Sequence, residues 1–362
     1  MKAANERQAA GKSVLHMEVG EPGAGPPRKV LDAAADVLRA NNLGYTEALG
    51  IPELRAAIAL HYRDKYSVEV PVERIVVTTG SSGGFLLAML AAFDAGDRVA
   101  VGVPYYPAYS NMLVALGIEP VFVVTGPQTR FQPTADVLAA AGPLDGVLVA
   151  SPANPTGTML SAETMAALVG YCDEAGVRML SDEIYHGITY GERPSTALAH
   201  GQEAIIFNGF SKYFCMTGWR LGWMVVPEDL LSAVERLAQN LFISAPNISQ
   251  RSAVAAFDCH DELEANVARY ARNRELLLRE LPKAGLGNFA PADGAFYIYA
   301  DIGNLTNDSA GFCRRLLNET GVAVTPGIDF DAAQGAATIR ISFAGAEGDI
   351  ASAAARLADW LG

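Results

Sequence analysis

Gly146-Val147-Leu148-Val149-Ala150 runs straight into Ser151-Pro152-Ala153-Asn154-Pro155-Thr156-Gly157-Thr158, and that junction decides the fold. The first five residues are apolar without alternation, so both faces of the strand they predict need an apolar cover. The next eight set two prolines around an asparagine, which ends the strand in a stiff loop and holds Asn154 in one direction. Moving outward, the junction recurs where Arg178–Ser181 leads into Asp182-Glu183-Ile184-Tyr185. Further β-rich runs lie at Ile75–Thr79, Arg98–Val101, Val121–Val124, Ala204–Phe207 and Leu221–Val226. Helical patterns fall between them at Ser82–Phe93, Pro107–Leu116 and Ala162–Ala175, the last capped at Ser161. Apolar strands alternating with helices predict an α/β sandwich. In such a sheet the loops at the carboxyl ends of the strands converge, here those starting at Thr79, Gly102, Ala150, Ser181 and Phe207.

After residue 255 the rhythm changes. A long charged helix, Asp261 to Leu281, precedes a strand at Ala295–Ala300, a helix at Ser309–Thr320, strands at Val322–Thr325 and Thr338–Ser342, and a last helix ending at Trp360. Elements that do not alternate regularly predict a separate α+β unit. The expected division is therefore an N-terminal arm over 1–40 packed with the small domain, a large domain over 41–255 and a small domain over 256–362. Gly20 to Pro27 reads as a loop leading from the arm.

The chain has 362 residues with 40 acidic against 27 basic side chains, a formal net charge of −13. Binding nucleic acid or an anionic membrane requires a basic face, so neither is expected as a partner. Half of the residues are hydrophobic and 19% are charged, enough apolar material for a large core. No apolar run approaches the roughly 20 residues that span a bilayer, and the N-terminus lacks a secretory h-region, so a cytoplasmic protein is expected. Cys172, Cys215, Cys259 and Cys313 are widely spaced and the five histidines are scattered, which predicts four reduced thiols and no metal site.

Four strand-end loops carry the polar groups. Thr78-Thr79-Gly80-Ser81-Ser82-Gly83-Gly84 opens a helix and offers free backbone N–H groups to an anion, with an ordinary small-residue cap as the plain alternative. Asn154 sits in the second loop, and Asp182 ends a hydrophobic strand in the third, either as a cap or as a carboxylate aimed into a cleft. The fourth, Gly209-Phe210-Ser211-Lys212-Tyr213-Phe214-Cys215-Met216-Thr217-Gly218-Trp219-Arg220-Leu221-Gly222-Trp223, is the most informative. Lys212 and Arg220 stand among apolar and aromatic residues, where an unpaired cation is costly, so both call for anionic or covalent partners.

Taken in order, GSSGG, PYYPAY, SPANPTGT, SDEIY, FSKYFCMTGWRLG and IRISF resemble the class I/II aminotransferases, pyridoxal-phosphate enzymes of fold type I. The likeness extends from Glu18-Val19-Gly20-Glu21-Pro22 to Ser342. It implies a mostly parallel seven-stranded sheet between helices and a smaller α+β domain. It also implies that Lys212 holds the cofactor as a Schiff base and shuttles the substrate proton. Asp182 would pair with the pyridine nitrogen, Tyr185 and Asn154 would bond the ring O3′, and Tyr106 would stack on the ring. Gly80, Ser81, Ser82, Ser211 and Arg220 would hold the phosphate, joined by Tyr45 from a neighbouring subunit in a homodimer with shared sites. Arg340 would clamp the substrate α-carboxylate, with Gly20 and Asn154 beside it.

Two departures stand out. Relatives often carry a serine where this chain has Gly209, and an acid where it has Gly23. Transfer of an amino group between an L-amino acid and a 2-oxo acid is the expected reaction. A lyase on the same fold, a C–S β-lyase or decarboxylase, is the alternative, because both begin from the same cofactor–substrate adduct and differ in which bond is aligned. A non-catalytic effector module and a dinucleotide oxidoreductase fit less well: no helix-turn-helix segment is evident, and GxGxxG is absent after the first strand.

Overall fold

The computed structural model describes residues 1–362. Its strands are β1 (Leu15–His16), β2 (Ile75–Thr78), β3 (Arg98–Val103), β4 (Glu119–Val124), β5 (Gly146–Ala150), β6 (Arg178–Asp182), β7 (Ile205–Gly209), β8 (Gly222–Val225), β9 (Tyr297–Asp301), β10 (Val322–Ala323), β11 (Thr325–Pro326) and β12 (Thr338–Ser342). Seven of them form one sheet in the order β2-β8-β7-β6-β5-β3-β4. All its pairings are parallel except those of β8, which runs antiparallel to both β2 and β7. The fold is thus α/β, with the mostly parallel seven-stranded sheet that the resemblance implies.

Period-two alternation splits each strand between two cores. Val77, Val147, Val149 and Ile206 enter a cluster of 65 buried side chains on one face. Val76, Leu148, Ile205 and Phe207 enter a second cluster of 19 on the other. That double cover is why the runs read as continuously apolar. β4 is the sheet edge, which is why it can include Pro120 and start earlier, at Glu119, than the apolar run Val121–Val124 indicates.

Strand order reverses between β3 and β5: the chain steps outward to β4 and then returns past β3. A crevice opens at such a switch, and the loops after β3 and β5 carry Tyr106 and Asn154 into it.

Residues beyond 255 build a second sheet, in which β12 lies between β11 and β9 and pairs antiparallel with each. β1 joins β10 in a parallel pair, so the N-terminal segment docks here. The run Val322–Thr325 is therefore two strands in two sheets, interrupted at Val324. The helices at Ala162–Ala175 and Ser309–Thr320 lie where predicted, and the Ser161 hydroxyl accepts from Thr164 N–H at 3.2 Å. The predicted Asp261–Leu281 helix is His260–Glu280, and the Ser82–Phe93 helix starts two residues earlier, at Gly80. Helices at Lys2–Ala9, Arg28–Ala40, Pro52–Tyr66, Ala135–Ala140, Leu231–Leu241 and Asn247–Ala253 are not among those the sequence predicts. No helix is long and apolar enough to cross a membrane.

Candidate active site

Eleven of the residues singled out from sequence line one cavity of about 280 Å³ at the switch point: Gly20, Ser81, Ser82, Tyr106, Asn154, Asp182, Tyr185, Ser211, Lys212, Arg220 and Arg340. Gly80 adjoins it at the helix start. Tyr45 stands apart, 82% exposed on the surface of the chain.

Asp182 ends β6 with its side chain buried. Ile184 N–H donates to its Oδ1 at 3.1 Å, and the buried Tyr109 hydroxyl donates to its Oδ2. Burial pushes the carboxyl up to about 6, opposed by those two donors and by Lys212. Lys212 follows β7 on a loop packed over Phe210, Phe214, Trp223 and Phe257, whose ring centroids lie 5.0 to 5.7 Å apart in successive contacts. Its Nζ donates to Gly20 O at 2.6 Å. Burial, and then the Arg340 cation, push this amine down to about 8, while Glu21 and Asp182 pull the other way. A lysine so placed loses its proton near working pH, as a nucleophilic amine must.

At one end of the cavity the helix Gly80–Ala92 points its N-terminus inward. Gly80 has φ +71°, and a Cβ there would come 2.5 Å from Arg220 Nη2. A Cβ on Gly222 would come 2.6 Å from Ser81 N. Bare backbone on both sides thus lets Arg220 lie across the helix start, beside Ser81, Ser82 and Ser211. Free N–H groups, hydroxyls and a guanidinium suit a phosphate dianion. Gly209 belongs to the same crowding: a Cβ on it would meet Gly222 Cα and Ile184 Cδ1, each at 3.1 Å.

At the other end stands Arg340 of β12, its guanidinium carbon 4.4 Å from the Tyr297 ring centroid and 4.8 Å from that of Phe330. Nη1 donates to Asn154 Oδ1 at 2.8 Å, and Nη2 to Glu18 O at 2.7 Å. Nε is buried without a partner, a donor left over for an anion. Asn154 Oδ1 is engaged by Arg340, which leaves the Asn154 amide nitrogen as the donor it can offer a ligand.

Sequence reasoning did not single out Tyr109, Tyr297, Phe85, Met112, Ile184 or Thr217, all of which line the cavity. Tyr109 was signalled by its place three residues after Tyr106 in PYYPAY, a spacing that puts both on one side of a helical turn. Tyr297 lacked any such signal.

A buried carboxylate, a buried lysine and an anion cradle at one end of the same cavity fit pyridoxal phosphate and the sites of fold type I enzymes. Residues 12–357 match the family Aminotransferase class I and II, and the chain belongs to it. Valine–pyruvate aminotransferase of Mycobacterium tuberculosis is 52% identical, with 99% of this chain and 94% of that protein covered. (5-formylfuran-3-yl)methyl phosphate transaminase of Methanocaldococcus jannaschii is 34% identical over 99% of this chain and 94% of its own length. Among solved structures, an aminotransferase from Mycobacterium tuberculosis superposes with a TM-score of 0.98 at 52% identity, covering 99% of this chain and 94% of the other. Aspartate aminotransferase from Thermus thermophilus with maleate gives 0.92 at 32% identity, covering 99% and 94%. The protein is a pyridoxal-phosphate-dependent aminotransferase that moves an amino group between an amino acid and a 2-oxo acid. These relatives lend nothing to the lyase reading.

Proposed function

We propose that Lys212 is the attachment point of the cofactor and that the enzyme transfers the amino group of a neutral, branched aliphatic amino acid to a small 2-oxo acid such as pyruvate. One observation carries this: Lys212, Asp182, Asn154, Tyr185 and Arg340, remote from one another in sequence, face a single cavity. The cations this chain places in the cavity are Lys212, Arg220 and Arg340, each already given another role, so none of its own is assigned to an acidic side chain. The 52% identical relative is named for valine and pyruvate, in agreement.

When bound, pyridoxal phosphate supplies an electron sink that makes the substrate Cα–H acidic. Asp182, with both oxygens fixed by Tyr109 and Ile184, would hold negative charge against the pyridine nitrogen. Lys212 Nζ, inside the cavity, would be the group that accepts and returns the proton that transamination moves. Ser81, Ser82, Ser211 and Arg220 would hold the phosphate at their end of the cavity. Arg340 binds the carboxylate and thereby orients the Cα–H bond toward Lys212.

A panel of amino donors against pyruvate, 2-oxoglutarate and oxaloacetate tests the substrate reading. Valine with pyruvate should give the highest kcat/KM, and an aspartate or glutamate donor preferred over every aliphatic one would overturn it.

The assembly we propose is a cytoplasmic homodimer in which Tyr45 reaches the partner's phosphate, with chain divisions near 40 and 255. Exposed Leu43, Tyr45, Leu241 and Ile243 support it. Their segments adjoin, since Asn247 Nδ2 donates to Gly44 O at 2.6 Å and Thr46 N–H to Ser244 Oγ at 3.4 Å. Such an apolar patch suits a permanent interface. Mixing Lys212→Ala chains with Tyr45→Phe chains should raise activity above either parent, because one site per heterodimer regains both groups. No rise after confirmed heterodimer formation refutes the sharing.

A further inference from the structure

We propose that the Tyr297 hydroxyl is a positioning group that couples the carboxylate-binding arginine to Tyr185, so that occupancy at Arg340 changes how strongly Tyr185 donates to the cofactor oxygen. The proposal rests on the roles given above to Tyr185 and Arg340.

Three contacts converge on this side chain. Its Oη lies 2.7 Å from Tyr185 Oη in a buried pair. Its ring lies under the Arg340 guanidinium, 4.4 Å from centroid to carbon. Its Oη also crowds Gly20 so closely that a Cβ there would fall 2.2 Å from it. In register, Tyr297 faces Ser342 and Tyr299 faces Arg340, so Tyr297 lies on the same side of the sheet as Arg340. Tyr185, by contrast, comes from the loop after β6 of the large sheet. This hydrogen bond, like that from Arg340 to Asn154, therefore joins the carboxylate-binding sheet to the cofactor-binding one.

Its direction follows from charge. Of the two phenols, Tyr297 stacks directly against the cation and is the more acidic, so it donates and Tyr185 accepts. A hydroxyl that accepts a hydrogen bond becomes a stronger donor itself. Tyr185 then donates more strongly to the ring oxygen and lowers the proton affinity of the nitrogen joining Lys212 to the cofactor. A substrate carboxylate on Arg340 offsets the cation, weakens donation from Tyr297, and raises that affinity as the substrate arrives. The other charged or titratable groups facing the pair are Lys212, with Nζ 5.9 Å from the Tyr185 centroid, Asp182 and Tyr106.

The test is the pH midpoint of the visible absorbance change of the holoenzyme, read without turnover. Tyr297→Phe keeps the ring under Arg340 and removes only the hydroxyl, so the midpoint should rise by roughly half a pH unit, about threefold in proton affinity. Gly20→Ala, which pushes the hydroxyl aside without altering Tyr297, should move it the same way. Isovalerate, a carboxylate with no amine to react, should raise the wild-type midpoint and raise that of Tyr297→Phe less. Tyr185→Phe should shift the midpoint further than Tyr297→Phe, and adding Tyr297→Phe to it should have no additional effect. An unmoved midpoint in Tyr297→Phe, or shifts that add in the double variant, overturns the coupling while leaving the site assignment intact. An unmoved midpoint in Tyr185→Phe removes the Tyr185 role, and the coupling with it.

Discussion

Lys212→Ala, purified and supplied with pyridoxal phosphate, should retain the cofactor without a covalent link and lose nearly all turnover. Proton transfer by a positioned side chain is alone worth about 10²–10⁴-fold, and attachment is lost as well. Asp182 and the Gly80–Arg220 cradle are untouched by the change, so cofactor should still appear in the equilibrium-dialysed protein. The wild-type amine makes a second, sharper expectation. Because burial and Arg340 bring it down to about 8, the rate at which apoenzyme attaches pyridoxal phosphate should climb with pH, pass half its maximum near 8 and be nearly level by about 9. An ordinary lysine would keep gaining neutral amine toward 10. Borohydride labelling at another lysine, or a rate still rising above pH 9, contradicts the assignment.

Arg340→Ala should lower kcat/KM for amino acids by about 10²–10³-fold, the usual scale for truncating a buried, hydrogen-bonded charge pair. Cofactor retention should hardly change. Arg340→Lys should recover little of the loss, since a lysine cannot reproduce a fork that reaches Asn154 Oδ1 and Glu18 O while presenting Nε. Arg220→Ala should do the reverse, weakening the cofactor about 10–100-fold through loss of a charge-assisted phosphate contact, and sparing the affinity for carboxylate inhibitors. Release of the cofactor from Arg340→Ala with unchanged inhibitor binding would exchange the two roles.

Asp182, Lys212, Arg220 and Asn154 were legible in the sequence because each sits at a strand end within a short run that breaks local expectation. A carboxylate closing an apolar strand, cations amid aromatics and two prolines around an amide are all visible without tertiary information. Tyr109 and Tyr297 are different. A tyrosine among apolar residues is ordinary core composition, and only the folded chain shows that one hydroxyl reaches Asp182 and the other Tyr185. The same limit explains the helix Arg28–Ala40, which begins after Pro26-Pro27 with no capping side chain. It also explains Val322–Thr325, where one apolar run serves two sheets and the switch between partners is set by β1 and β12 rather than by local preference. Gly209 was read as a missing hydroxyl, and the close approach of Gly222 gives its physical reason.

The pairing of β1 with β10 has a consequence for synthesis. Thr325 Oγ1 donates to Glu18 O across 307 residues of chain, and Arg340 reaches the same carbonyl across 322. At about 5–20 residues per second, the N-terminal segment therefore waits some 15–60 s after emerging before its strand partner exists. Gly20, whose carbonyl receives Lys212, gains its contact with Tyr297 and the neighbouring β1–β10 pairing only once the C-terminal segments have been made. The large sheet can close earlier, since its last strand ends at Val225. The residues of the Gly80–Arg220 cradle are therefore all synthesised before Arg340, so the two ends of the cavity are completed at different times.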